Sequence, residues 1–103
     1  MIDVEPNDLS IVKKILAKYV PESEVRVFGS RVKGNARKFS DLDLAIVCDV
    51  ALDPNLMIDI KNAFDESELP IKVDIHDWRS IGQSFQKIIE EKYEVLQLNN
   101  QSD

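Results

Sequence analysis

Asp41 and Asp43 stand one residue apart in the run SDLDLAIV, ten residues after the pair Gly29-Ser30. If this run is a β-strand, residues two apart project to the same side and lie roughly 6.5 Å apart along it, so the two carboxylates can converge on a shared ion. Left unpaired they would repel and raise one another's pKa. A divalent cation removes that repulsion, and hard oxygen ligands suit Mg²⁺ or Mn²⁺. An Asp-x-Asp pair alone is more often a solvated face, and it is the preceding Gly-Ser at this distance that turns the reading to metal. Asp74, in KVDIH, falls on the polar side of another extended run. Should that strand lie beside the second, three carboxylates meet, as a two-metal phosphoryl-transfer site requires. Asp59, Asp65 and Asp77 are rival third ligands, but Asp59 falls within a helical pattern and Asp77 follows the strand. His76 shares Asp74's side and is the only histidine, with a surface or hydrogen-bonded role expected rather than ligation.

Between the glycine-serine pair and the aspartates lie Arg31, Lys33, Arg37 and Lys38, with no acid among them. Gly29 ends a strand pattern and would let backbone approach a phosphate closely. Ser30 adds a hydroxyl donor at the start of a short helix. The cations can balance triphosphate charge, although for Arg37 and Lys38 a solvated loop is the simpler reading. Gly29, Ser30, Arg31 and Lys33 are therefore the expected nucleotide-phosphate residues, facing the carboxylates across one pocket.

The elements that must position these groups can be read from periodicity. Leu9, Val12, Ile15, Leu16, Tyr19 and Val20 recur at helical spacing over 8–20, closed by Pro21. EVRVF and DLDLAIV (41–47) read as strands, the latter with Leu42, Leu44 and Ile46 on one side and Asp41, Asp43 and Ala45 on the other. Asp53-Pro54 starts a helix with a buried stripe of Leu56, Ile60, Ala63 and Phe64. IKVDIHD after Pro70 is extended, with Val73 and Ile75 facing one way and Lys72, Asp74 and His76 the other. Ser80 with Gln83 resembles a capping box for a last helix over 80–92. The order helix, strand, short helix, strand, helix, strand, helix predicts an α/β (α+β) layered domain with a mixed sheet of about three or four strands. One domain over 1–97 and a polar tail over 98–103 are expected. Cys48 reads as a small buried hydrophobe, and Trp78 as core or partner surface.

Bulk properties narrow the function. The chain has 103 residues, room for one domain, and a net charge of −6, which argues against direct nucleic-acid binding because backbone affinity needs excess Lys and Arg. A single cysteine excludes an internal disulfide. With no signal-type opening run and no long apolar span, a cytoplasmic location and no membrane contact are expected.

GSRVKGNARKFSDLDL, with Asp74 further on, resembles the signature of the DNA polymerase β nucleotidyltransferase superfamily, and the chain's size makes it most similar to the minimal nucleotidyltransferases (MNT). Val32 and Lys33 depart mildly from that family's GSRARG pattern. The resemblance spans roughly residues 8–90. It implies that Asp41 and Asp43 bind both metals, that Asp74 binds one and takes the acceptor's proton, and that Gly29 and Ser30 hold nucleotide phosphates. It further implies ATP as donor and, as partner, a small helical HEPN ribonuclease carrying Arg-x4-6-His, silenced as a toxin by transfer of AMP to a tyrosine. The MNT member is then the antitoxin, in an assembly of unspecified stoichiometry. A catalytically silent HEPN- or nucleotide-binding module is the alternative. Adenylylation of a small molecule is disfavoured by the lack of an acceptor domain.

Overall fold

The computed structural model describes residues 2–98. Eight elements follow in order: α1 (Pro6–Tyr19), β1 (Glu24–Phe28), α2 (Ser30–Lys33), β2 (Leu42–Val47), α3 (Pro54–Asp65), β3 (Val73–Asp77), α4 (Gln83–Glu91) and β4 (Glu94–Gln97). The strands form one sheet in the order β3-β2-β1-β4. β1 runs antiparallel to both β2 and β4, and β2 runs parallel to β3. This is the mixed sheet expected, and β4 is its unforeseen fourth strand.

Alternation along the strands divides the side chains between two faces. On one face Val25, Val27, Leu42, Leu44, Ile46 and Ile75 form a continuous core with Val12 and Leu16 of α1 and Ile60 and Phe64 of α3. Most of the helix stripes read from the sequence dock here, with Ile15, Tyr19 and Leu56 partly buried against the same core; Leu9 and Ala63 are not part of it. Asp53 caps α3 by accepting the backbone N–H of Asn55 at 2.8 Å, and Pro54 occupies the first turn, where its missing N–H costs nothing.

The opposite face carries a smaller cluster of Phe28, Ala45 and Ile89, with Trp78, Ile81, Phe85 and Tyr93 around it. α4 contributes Ile89 and Phe85 to this side. Arg26 is held here between the rings of Trp78 and Tyr93, 4.8 and 4.6 Å from their centroids, with Glu24 2.5 Å from its Nε. Trp78 is thus partly buried against this cluster. The end of α4 differs from expectation: Gly82 is the residue before the helix, with no side-chain cap, and Ser80 donates instead to Asp77 at 3.0 Å. Cys48 is partly buried and lies 2.8 Å from the Ser23 hydroxyl. Of the polar tail expected over 98–103, Leu98 is exposed and residues 99–103 lie outside the described residues. Among the described residues no helix is long and apolar enough to cross a membrane.

Candidate active site

The parallel pairing of β2 and β3 sets Asp43 directly opposite Asp74, and the antiparallel pairing of β1 sets Phe28 opposite Asp43. Two carboxylates from strands 31 residues apart in sequence therefore meet at the open end of the second face. Asp43, Asp74 and His76 each offer a ligand atom within 4.8 Å of the other two. Asp41 stands just ahead of β2, exposed, and its carboxylate lies outside that group, though near enough to act on Asp43 electrostatically.

The electrostatics follow from crowding. Burial, then the negative charge of Asp74, then that of Asp41 push the Asp43 carboxyl above its ordinary value of 3.8, and His76 partly offsets them. In the absence of a cation this is an unfavourable arrangement for an ionised carboxylate. A divalent ion reverses each of the charge effects, so the donor set suits one.

Gly29 is indispensable here for two separable reasons. Its φ of 82° lies in the left-handed half of conformational space, where side chains are strained. A Cβ built on it would also come within 2.3 Å of an Asp43 carboxylate oxygen. The close approach that the sequence suggests for a phosphate is thus occupied, in this structure, by Asp43 itself. Ser30 follows as the first residue of α2, a single turn whose carbonyl at Ser30 accepts the N–H of Gly34 at 3.2 Å. Lys33 is exposed at the end of that turn.

Arg31 is placed differently from a phosphate ligand. It is 7% exposed, and its guanidinium donates to four backbone carbonyls: Ser40 (3.0 Å from Nε and 2.8 Å from Nη2), Asp3 (2.7 Å), Lys38 (3.2 Å) and Arg37 (3.5 Å). Its own carbonyl accepts the N–H of Asp3 at 2.7 Å. Arg31 thereby fastens the loop that delivers Asp41 to the chain's opening segment. Arg37 and Lys38 are exposed on the same loop, Lys38 lying over the ring of Phe39 at 5.4 Å.

Among the rival acids, Asp77 is buried and consumed by structure: it accepts from the backbone N–H groups of Leu52 (2.9 Å) and Arg79 (3.1 Å) and from Ser80. Asp59 and Asp65 are exposed on α3. His76 is the residue that sequence reasoning left aside and the fold brings into the group. The signal for it was its position two residues after Asp74, which guarantees a shared face.

A comparison with protein families matches residues 11–102 to "Polymerase beta, Nucleotidyltransferase". The chain is 47% identical, over 93% of its own length and 84% of the relative's, to "Probable protein adenylyltransferase MntA" of Haemophilus influenzae. Among solved structures it is similar to a toxin–antitoxin complex with AMP-PNP (TM-score 0.75, 23% identity, 90% of this chain and 75% of the other). It is also similar to a tri-AMPylated HEPN toxin in complex with MNT antitoxin from Shewanella oneidensis (TM-score 0.61, 21% identity, 92% and 73%). These two likenesses establish the fold.

Proposed function

The chain belongs to the polymerase β nucleotidyltransferase family, and from that premise we propose that it is a protein adenylyltransferase that moves AMP from ATP to a tyrosine of a HEPN-type toxin, acting as its antitoxin. The observation that carries this reading is the pairing of Asp43 with Asp74 across β2 and β3, backed by Gly29, in a chain 47% identical to an adenylyltransferase.

In this proposal Asp41, Asp43 and Asp74 hold Mg²⁺ or Mn²⁺, which when bound neutralises phosphate charge and polarises the α-phosphorus. Gly29 and Ser30 meet the triphosphate, Ser30 through its hydroxyl, while Lys33 supplies an exposed charge beside it. Arg31 positions the loop rather than touching the nucleotide. Asp74 accepts the proton of the incoming phenol, whose pKa near 10 makes it an easier nucleophile than an aliphatic alcohol. The phenol oxygen forms a bond to the α-phosphorus, the bond from that phosphorus to the β-bridging oxygen breaks, and pyrophosphate leaves with the electron pair. Asp74 has the exposure this role needs, its side chain being 46% accessible.

Mass spectrometry of the partner after co-expression tests the reaction. Mass gains in multiples of AMP on tyrosine, absent with Asp74→Asn, are expected. A partner silenced by tight binding yet unmodified would instead make this chain a binding module.

A further inference from the structure

One group at the carboxylate end of the second face has no part in the reaction proposed above. His76 sits on β3 opposite Ala45 of β2, and a ring nitrogen of it lies within 4.8 Å of a carboxylate oxygen of Asp43. Phe28 and Phe85 wedge the ring, with centroids 5.6 and 5.4 Å away and Phe85 edge-on at 88°. The side chain is 24% exposed, and among the described residues no hydrogen bond ties it to a carbonyl or hydroxyl. Its Nε2 stands 3.5 Å from Oδ2 of Asp74.

That distance discriminates between two roles. A hydrogen bond from an imidazole to a carboxylate spans about 2.7–3.2 Å, so this contact is too long for a good one. Two ligands sharing an ion at bonds of about 2.1 Å stand about 3.0 Å apart at right-angle coordination and about 3.4 Å apart at tetrahedral angles. The Asp74–His76 separation lies beyond hydrogen-bond range and within a few tenths of an ångström of the spacing of two ligands sharing an ion, and Asp43 offers an oxygen within 4.8 Å of both.

We infer that His76 is a nitrogen ligand of the cation held by Asp43 and Asp74, and that it makes the site select Mn²⁺ over Mg²⁺. The inference rests on the nucleotidyl-transfer reading for the presence of a cation, and adds its identity. Mg²⁺ demands oxygen and dehydrates reluctantly, whereas imidazole suits first-row transition ions. The rings of Phe28 and Phe85 hold the imidazole in place, so little orientational freedom is lost on binding.

Because His76 is the only histidine, ¹⁵N-histidine labelling of the tag-free protein reports on it alone. Pulsed electron paramagnetic resonance of bound Mn²⁺, with a non-hydrolysable ATP analogue at natural isotopic abundance, is expected to show a directly coordinated ¹⁵N. In calorimetry, His76→Gln should lower the ratio of Mn²⁺ to Mg²⁺ affinity about tenfold, mostly through loss of Mn²⁺ binding. Should the variant not fold, the labelled wild type decides alone. Mn²⁺ bound without ¹⁵N coupling overturns this inference and leaves the transferase reading standing. Failure of Mn²⁺ to bind even with the analogue overturns both.

Discussion

The two faces of the sheet are made by the same strands and obey opposite rules. Leu42, Leu44 and Ile46 point one way and are wholly buried among apolar neighbours, while Asp43, between two of them, points the other way into a crowd of like charges. The first face lowers free energy by removing hydrocarbon from water. The second raises it by holding carboxylates together, and it is affordable because α1 and α3 stabilise the opposite side. Strand periodicity lets one segment serve both ends, so the same six residues of β2 supply core and clustered carboxylate.

The sharpest way to break this comparison is to exchange the penalties. On the proposed function, Asp43→Asn should reduce transfer of AMP by at least about a hundredfold, since a residue proposed as a direct ligand should matter no less than the supporting groups around it. Its melting temperature in EDTA should nevertheless rise, because a repelled charge is gone. The pH dependence carries the same sign. A carboxyl whose pKa is raised on folding weakens the protein once ionised, so metal-free stability is intact below 3.8 and falls as pH increases through the higher folded-state value. The slope should flatten in Asp43→Asn. A variant that unfolds, or a wild type that gains stability across that range, would mean that Asp43 is structural.

Leu44→Ala asks the converse question one residue along. Cutting a fully buried leucine should cost about 2–5 kcal/mol in chemical denaturation. Specific activity of the molecules that remain folded should change little. A selective loss of activity with stability preserved would show that the two faces are not separable.

Gly29→Ala sits on the boundary and should have the smallest effect on stability, about 1–3 kcal/mol from the disallowed backbone. The new methyl would also displace the Asp43 carboxylate, so cation affinity should drop together with stability. If calorimetry found cation binding unaltered, the contact between Gly29 and Asp43 would have no bearing on the site.

What could be read in the sequence was whatever a local period encodes. The pairing of Asp43 with Asp74 required only two alternating runs and their adjacency, and α3 was announced by Asp53-Pro54. What the sequence leaves hidden lies where distant segments decide. Nothing near Arg31 in sequence reveals that Asp3 and Ser40 turn their carbonyls toward its guanidinium. Ser80 looked like a cap, but the buried Asp77 competes for its hydroxyl. β4 escaped notice because it is four residues long and at the sheet's edge, where Val95 remains 41% exposed and no clean alternation develops. Nor does anything local to His76 reveal that strand pairing brings it near Asp43.

The placement of β4 against β1 has a temporal side. The amide of Gln97 donates to the carbonyls of Val20 and Ser23, more than seventy residues earlier, so the last strand locks the turn that follows the first helix. As the chain leaves the ribosome, β1 can pair with β2 early, but its other edge stays bare until residues near 97 emerge. During that interval the growing protein presents an unpaired strand rich in valine, a template for association with other chains. Closure over so long a loop also slows folding relative to local hairpin formation. A nascent chain stalled before β4 would thus already contain Asp41, Asp43 and Asp74 and still be the species most prone to aggregate.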